Sequence, residues 1–181
     1  MALFNLKSVI LFTLVGSTLV TSRKVPNWEE VFRDYQSKVV PLRHWGNKSY
    51  WMGTSFQATW FEALTFCSQM HMQLLTINSE EENSVIYRYI REASKGFEYW
   101  TSGTRLIDGN KWVWFPYGDL IEYTRWSNGQ PSDPNGEKCL QVWKVDDNWG
   151  LQWNDRPCDV RFHFICERYD SQNQGRGQSI L

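Results

Sequence analysis

The sequence predicts an α+β fold, with two helices first and antiparallel strands around a long irregular loop region afterwards. Three observations carry this prediction. Two capping-box sequences, Thr59-Trp60-Phe61-Glu62 and Ser79-Glu80-Glu81-Glu82, open helical stretches in the first half. After Lys95 and Gly96 the pattern turns to short apolar runs divided by turn-formers. Ser127 to Gly136 then supplies a polar loop of Ser, Asn, Gly, Pro and Asp.

The first helix is expected from Thr59 to Met70, because Trp60, Ala63, Leu64 and Cys67 fall at the three-to-four spacing of one buried face. Leu74 to Ile77 reads as a strand. The second helix is expected to run to about Glu92, with the acidic run Glu80 to Glu82 as a solvated start favoured by the helix dipole. Tyr99 to Thr101 and, after the Asp108-Gly109 turn, Trp112 to Phe115 are expected strands, as are Cys139 to Trp143 and Phe162 to Glu167. Trp112, Trp114, Trp126 and Trp153 are expected in the core, where each aromatic removes a large apolar area from water. No internal repeat is present.

The 181 residues carry a formal net charge of -1, with 11 Trp and 16% aromatics. Lys and Arg are scattered singly, so no patch exists to neutralise phosphates and a nucleic-acid partner is excluded. His44, His71 and His163 lack zinc-ligand spacing, and no Gly-x-Ser-x-Gly elbow appears, so an enzyme is not expected. Residues 1–22 read as a signal peptide: Lys7, an apolar run from Val9 to Val20, then Thr21 and Ser22. That run is shorter than the roughly 20 apolar residues of a spanning helix, and no other stretch spans, so a secreted, extracellular protein is expected. Residues 23–45 form a short extension in which Trp28 to Val39 makes a short helix. Residues 46–168 form the domain, and 169–181 a polar, disordered tail. Asn47-Lys48-Ser49 is an N-glycosylation acceptor. In an oxidising compartment the four cysteines pair, with three pairings open.

Trp60 to Cys67, Trp112-Val113-Trp114, Gln130-Pro131-Ser132, Glu137 before Cys139, Trp153-Asn154-Asp155, Cys158 and Cys166 occur in fixed order. Together they resemble the C-type lectin-like family over residues 50–167. Tyr99-Trp100-Thr101-Ser102-Gly103 is similar to the form in many secreted arthropod lectins. The resemblance implies the C-type lectin-like fold with two disulfides, Cys67 with Cys166 and Cys139 with Cys158. In the chain-entropy model such bridges contribute about 4 to 5 and about 3 kcal/mol.

The resemblance also implies a calcium site, a hard-cation site wanting six to eight oxygen ligands. Family positions carry over as Gln130, Ser132 and Glu137 from the first loop and Asn154 and Asp155 from the second, the same side chains contacting sugar hydroxyls. Pro131 is the residue that the family holds in a cis peptide. Two departures weaken calcium binding: Ser132 stands where the family has Asn or Asp, and Lys138 stands where it often has Asp. Asp133 offers a replacement carboxylate if the loop shifts by one residue. Gln130-Pro131-Ser132 leans to galactose-type glycans, and Trp149 is the candidate to stack on a sugar ring, or else a loop anchor.

The expected function is a calcium-dependent, galactose-leaning lectin with a weak site, acting on glycans, glycoproteins or cell-surface carbohydrate. The competing expectation is a calcium-independent protein- or surface-binding module that keeps the fold without sugar binding.

Overall fold

The computed structural model describes residues 42–170 except 94, 95, 97, 108 and 145–149. The expected signal peptide, the Trp28–Val39 helix, the tail beyond Asp170 and Trp149 lie outside the described residues.

The elements follow in the order β1 (Arg43–Trp45), β2 (Lys48–Ala58), α1 (Trp60–Gln69), β3 (Gln73–Leu74), α2 (Glu80–Ala93), β4 (Glu98–Thr104), β5 (Val113–Trp114), β6 (Asp119–Leu120), β7 (Cys139–Lys144), β8 (Leu151–Arg156) and β9 (Phe162–Tyr169). The α+β class, both helices and both disulfides, Cys67–Cys166 and Cys139–Cys158, are as expected.

Helix α1 starts where its capping box predicts: the Thr59 hydroxyl accepts from the Glu62 amide, and the Glu62 carboxylate accepts from the Thr59 amide. The second box is only half formed. The Ser79 hydroxyl caps the Glu82 amide, but Glu82 reaches past it to the Asn78 amide and inward to Lys48 and Tyr50. Glu82 is therefore 2% exposed, which corrects the reading of Glu80 to Glu82 as a wholly solvated run; only Glu80 and Glu81 face water.

The strands form one sheet in the order β1-β2-β9-β4-β5-β6, with β7 pairing β4 and β8. Pairing is antiparallel except between β4 and β9, where Tyr99 lies beside His163. The chain returns after β8 to insert β9 between β2 and β4, and the direction of that return makes the sheet mixed. Strands β1, β2, β6 and β8 have no counterpart in the sequence reading. Most of β2 is buried on both faces, so it lacks the alternation that marks a half-exposed strand. The second expected loop is in fact β8, where Asn154 pairs with Gln141 and Asp155 with Leu140.

Tyr50, Leu75, Ile86, Ile90, Tyr99, Val142 and Trp153 pack the core between α2 and the sheet. Trp114 and Trp153 are buried as expected, while Trp112 and Trp126 cover the core from its edge. A second aromatic cluster, Trp51, Phe56, Phe66 and Phe164, fastens α1 to β2 and β9 with ring centroids 5.0 to 5.6 Å apart. Stacked and edge-on aromatic pairs of this kind add to the area they bury.

Candidate functional site

The long loop between β6 and β7 is laid against β8 by backbone bonds. Trp153 N donates to Arg125 O at 2.8 Å and Ser127 N to Trp153 O at 2.9 Å. Gln130 N then closes a turn on Ser127 O, and the Gln130–Pro131 peptide is cis, as the family resemblance implies. A second cis bond, Phe115–Pro116, had no sequence signal.

Three of the expected site residues meet directly. Ser132 N donates to Asp155 Oδ1 at 2.9 Å, and the Ser132 hydroxyl donates to Glu137 Oε2 at 3.1 Å. Gln130 and Asn154 differ from them. Gln130 Oε1 and Asn154 Oδ1 are buried oxygens that find no donor among the described residues. An unpaired buried acceptor costs about 1 to 3 kcal/mol, so such atoms are rare unless something else binds them. Neutral amide oxygens are suitable ligands for calcium.

The carboxylates are less available. Asp155 is fully buried and ion-paired with Arg105 Nη2 at 3.3 Å, and Glu137 Oε1 lies 4.0 Å from Arg156 Nη1. Among the described residues no three His, Cys, Asp or Glu side chains are grouped as metal ligands. A calcium ion here would rest on Gln130 and Asn154 amide oxygens together with shared carboxylate oxygens of Glu137 and Asp155. The donor set fits a hard cation, with part of its negative charge already neutralised.

Asp133 does not replace Ser132 in this arrangement. Its Oδ1 accepts the amides of Asn135 at 2.9 Å and Gly136 at 3.0 Å, and those bonds hold its carboxyl below the usual carboxylate range. Lys138 is tied by its carbonyl, which accepts from Thr104 Oγ1 at 2.8 Å and Arg105 N at 3.0 Å. Asn47 is exposed at the β1–β2 turn, where its carbonyl accepts the Asp170 amide. Four residues of this region were missed: Arg105, Arg156, Gln141 and Glu98. Each is a single polar residue outside any motif, and only the fold brings it to the site.

The family model described as Lectin C-type domain matches residues 56–168. Perlucin of Haliotis laevigata is 32% identical over 120 residues, covering 66% of this chain and 75% of that protein. The mouse scavenger receptor C-type lectin carbohydrate-recognition domain superposes with a TM-score of 0.60 at 27% identity, over 72% of this chain and 95% of that one. A complex of SPL-1 with GlcNAc superposes with a TM-score of 0.61 at 25% identity, over 70% of this chain and 91% of that one.

Proposed function

Since this chain belongs to the C-type lectin family, whose members are binding modules and not enzymes, we propose that it is a secreted carbohydrate-binding protein. Its sugar site is formed by Gln130, Ser132, Glu137, Asn154 and Asp155, with Trp149 as the candidate stacking residue. The observation that carries this reading is the pair of buried, unpartnered amide oxygens on Gln130 and Asn154. Both sit on residues where the sequence pattern expects ligands for calcium, and satisfying them is what a cation would contribute.

Calcium, when bound, supplies coordination positions for neighbouring sugar hydroxyls. The side chains do the rest: Gln130 and Asn154 present amides, and Glu137 and Asp155 accept from hydroxyls that face them. Ser132 brings a hydroxyl where a carboxylate or amide would bind metal better, so the affinity lies at or beyond the weak end of the roughly 10⁻⁴ to 10⁻³ M of extracellular calcium modules. The Gln-Pro-Ser loop favours galactose-type glycans, and GlcNAc is the second sugar to test. A leader at residues 1–22 and a glycan on Asn47 belong to the same reading. No helix among the described residues is long and apolar enough to cross a membrane.

Thermal unfolding of the oxidised chain in chelator and in millimolar calcium tests the site, because a ligand that binds only the folded state raises the midpoint. A rise that grows with calcium, followed by calcium-dependent retention on galactose or GlcNAc resin, is expected. The Arg105–Asp155 ion pair favours a second reading, a calcium-independent protein- or surface-binding module. No calcium shift and no retention on either resin would establish that reading instead.

A further inference from the structure

Arg105 follows the last residue of β4 and is 7% exposed. Its guanidinium is enclosed by acceptors from separate segments. Nη2 donates to Asp133 O at 2.6 Å and to Glu137 O at 3.0 Å, and Nε donates to Glu137 O at 3.2 Å. Nη2 also donates to Asp155 Oδ2 at 3.3 Å, and the guanidinium carbon lies 5.2 Å above the Trp112 ring. One side chain thus joins the long loop, β8 and the segment entering β5.

The surroundings are chemically informative. Two backbone carbonyls and a fully buried carboxylate around one positive centre form the kind of oxygen shell that holds calcium. Here the centre is a guanidinium, permanently charged and with donors in a fixed fork that match several oxygens at once. The same Asp155 receives Ser132 N on its other oxygen, so the charge on Arg105 also sets where the Gln130-Pro131-Ser132 turn rests.

We infer that Arg105 is an internal cation, a positioning residue that holds the loop of residues 128–138 in its ligand-binding shape without any metal. The loop is then formed before ligand arrives, and a ligand bears less of the ordering cost. This inference concerns loop order and holds whether or not calcium binds at Gln130 and Asn154.

Hydrogen exchange of the full oxidised chain, read at the amides of Ser132 and Glu137 and compared with those of β2 and β9, tests it. In the unaltered chain, chelator leaves both loop amides protected. Arg105→Met keeps side-chain bulk and removes the charge, and should speed loop exchange roughly tenfold or more while β2 and β9 stay protected. Arg105→Asp should lose loop protection in chelator and regain it in millimolar calcium, a rescue that a merely space-filling role does not produce. Loss of loop protection in the unaltered chain on adding chelator overturns the inference and needs no variant. So does an Arg105→Met loop as protected as the original, or an Arg105→Asp loop indifferent to calcium.

Discussion

The amide of Asn154 is aimed by Gln141, whose Oε1 accepts the Asn154 Nδ2–H at 3.2 Å. Gln141 in turn donates its Nε2–H to Glu98 Oε1 at 3.0 Å. A carboxylate only accepts, so Glu98 decides which end Gln141 turns towards Asn154, and that choice leaves the Asn154 oxygen unpartnered. The exposed first residue of β4 thereby sets the polarity of a group in the proposed site.

Glu98→Lys reverses the chain of donors. A lysine offers only N–H groups, so Gln141 must present its oxygen to it and its amide to Asn154, which then turns its own oxygen inward to accept. Calcium affinity, followed by the calcium-induced rise in the unfolding midpoint, should fall about tenfold, or about 1.4 kcal/mol. Stability in chelator should change by no more than about 0.5 kcal/mol, because position 98 is exposed.

Ser132→Asp should act in opposite directions with and without metal. The Ser132 hydroxyl now donates to Glu137, whereas a carboxylate there faces Glu137 and Asp155 as a like charge. The midpoint in chelator should drop, while calcium binding tightens about tenfold or more because ligand charge count sets the affinity of such sites. Unchanged calcium affinity, read by calorimetry, would remove Ser132 from the ligand set.

Lys48 is buried between Glu82 Oε1 at 2.8 Å and Glu167 Oε2 at 3.2 Å, with Thr76 Oγ1 at 2.9 Å. Lys48→Met leaves two carboxylates in the interior without their cation and should cost about 3 to 5 kcal/mol in denaturant unfolding. The same cluster sets an alkaline limit. Burial pulls the Lys48 ammonium down, but the carboxylates of Glu167 and Glu82 outweigh it and hold it above its ordinary 10.5. Burial, then Glu82, pushes the Tyr50 phenol well above its ordinary 10.0. Groups raised on folding contribute stability that is complete below their unfolded values and lost as pH climbs through the folded ones. The unfolding midpoint should therefore decline from about pH 10 upward, and less so in Lys48→Met.

Local rules made the helices legible, because a capping box and a three-to-four apolar spacing are both short-range signals. Strand β8 was illegible for the opposite reason. Asn154 and Asp155 are turn-formers in isolation, and only pairing with Gln141 and Leu140 makes that segment a strand. The five proposed ligand positions followed from the family resemblance, but the partners those side chains take in the fold did not. That Asp155 is spoken for by Arg105, and that Glu82 is buried against Lys48, depends on residues about 50 and 34 positions apart. No local pattern encodes such long-range ionic partners.

The two disulfides should separate stability from site geometry. Cys67–Cys166 closes 99 residues and ties α1 to β9, neither of which carries a proposed ligand residue. Cys139–Cys158 closes 19 residues, joining the start of β7, just after Glu137 and Lys138, to the segment after β8, the strand that carries Asn154 and Asp155. In the chain-entropy model, replacing the first pair with alanine should cost about 4 to 5 kcal/mol and replacing the second about 3. The ordering reverses for function. The 139/158 double variant should show the larger loss of calcium-dependent midpoint shift and sugar retention, since Cys158 O also accepts the Trp60 amide at 3.0 Å and releasing it loosens both the helix start and the β8 end. The 67/166 variant, measured where it is still folded, should keep its calcium shift. A larger functional loss in the 67/166 variant would mean that the site is held by the core and not by the β7–β8 clamp.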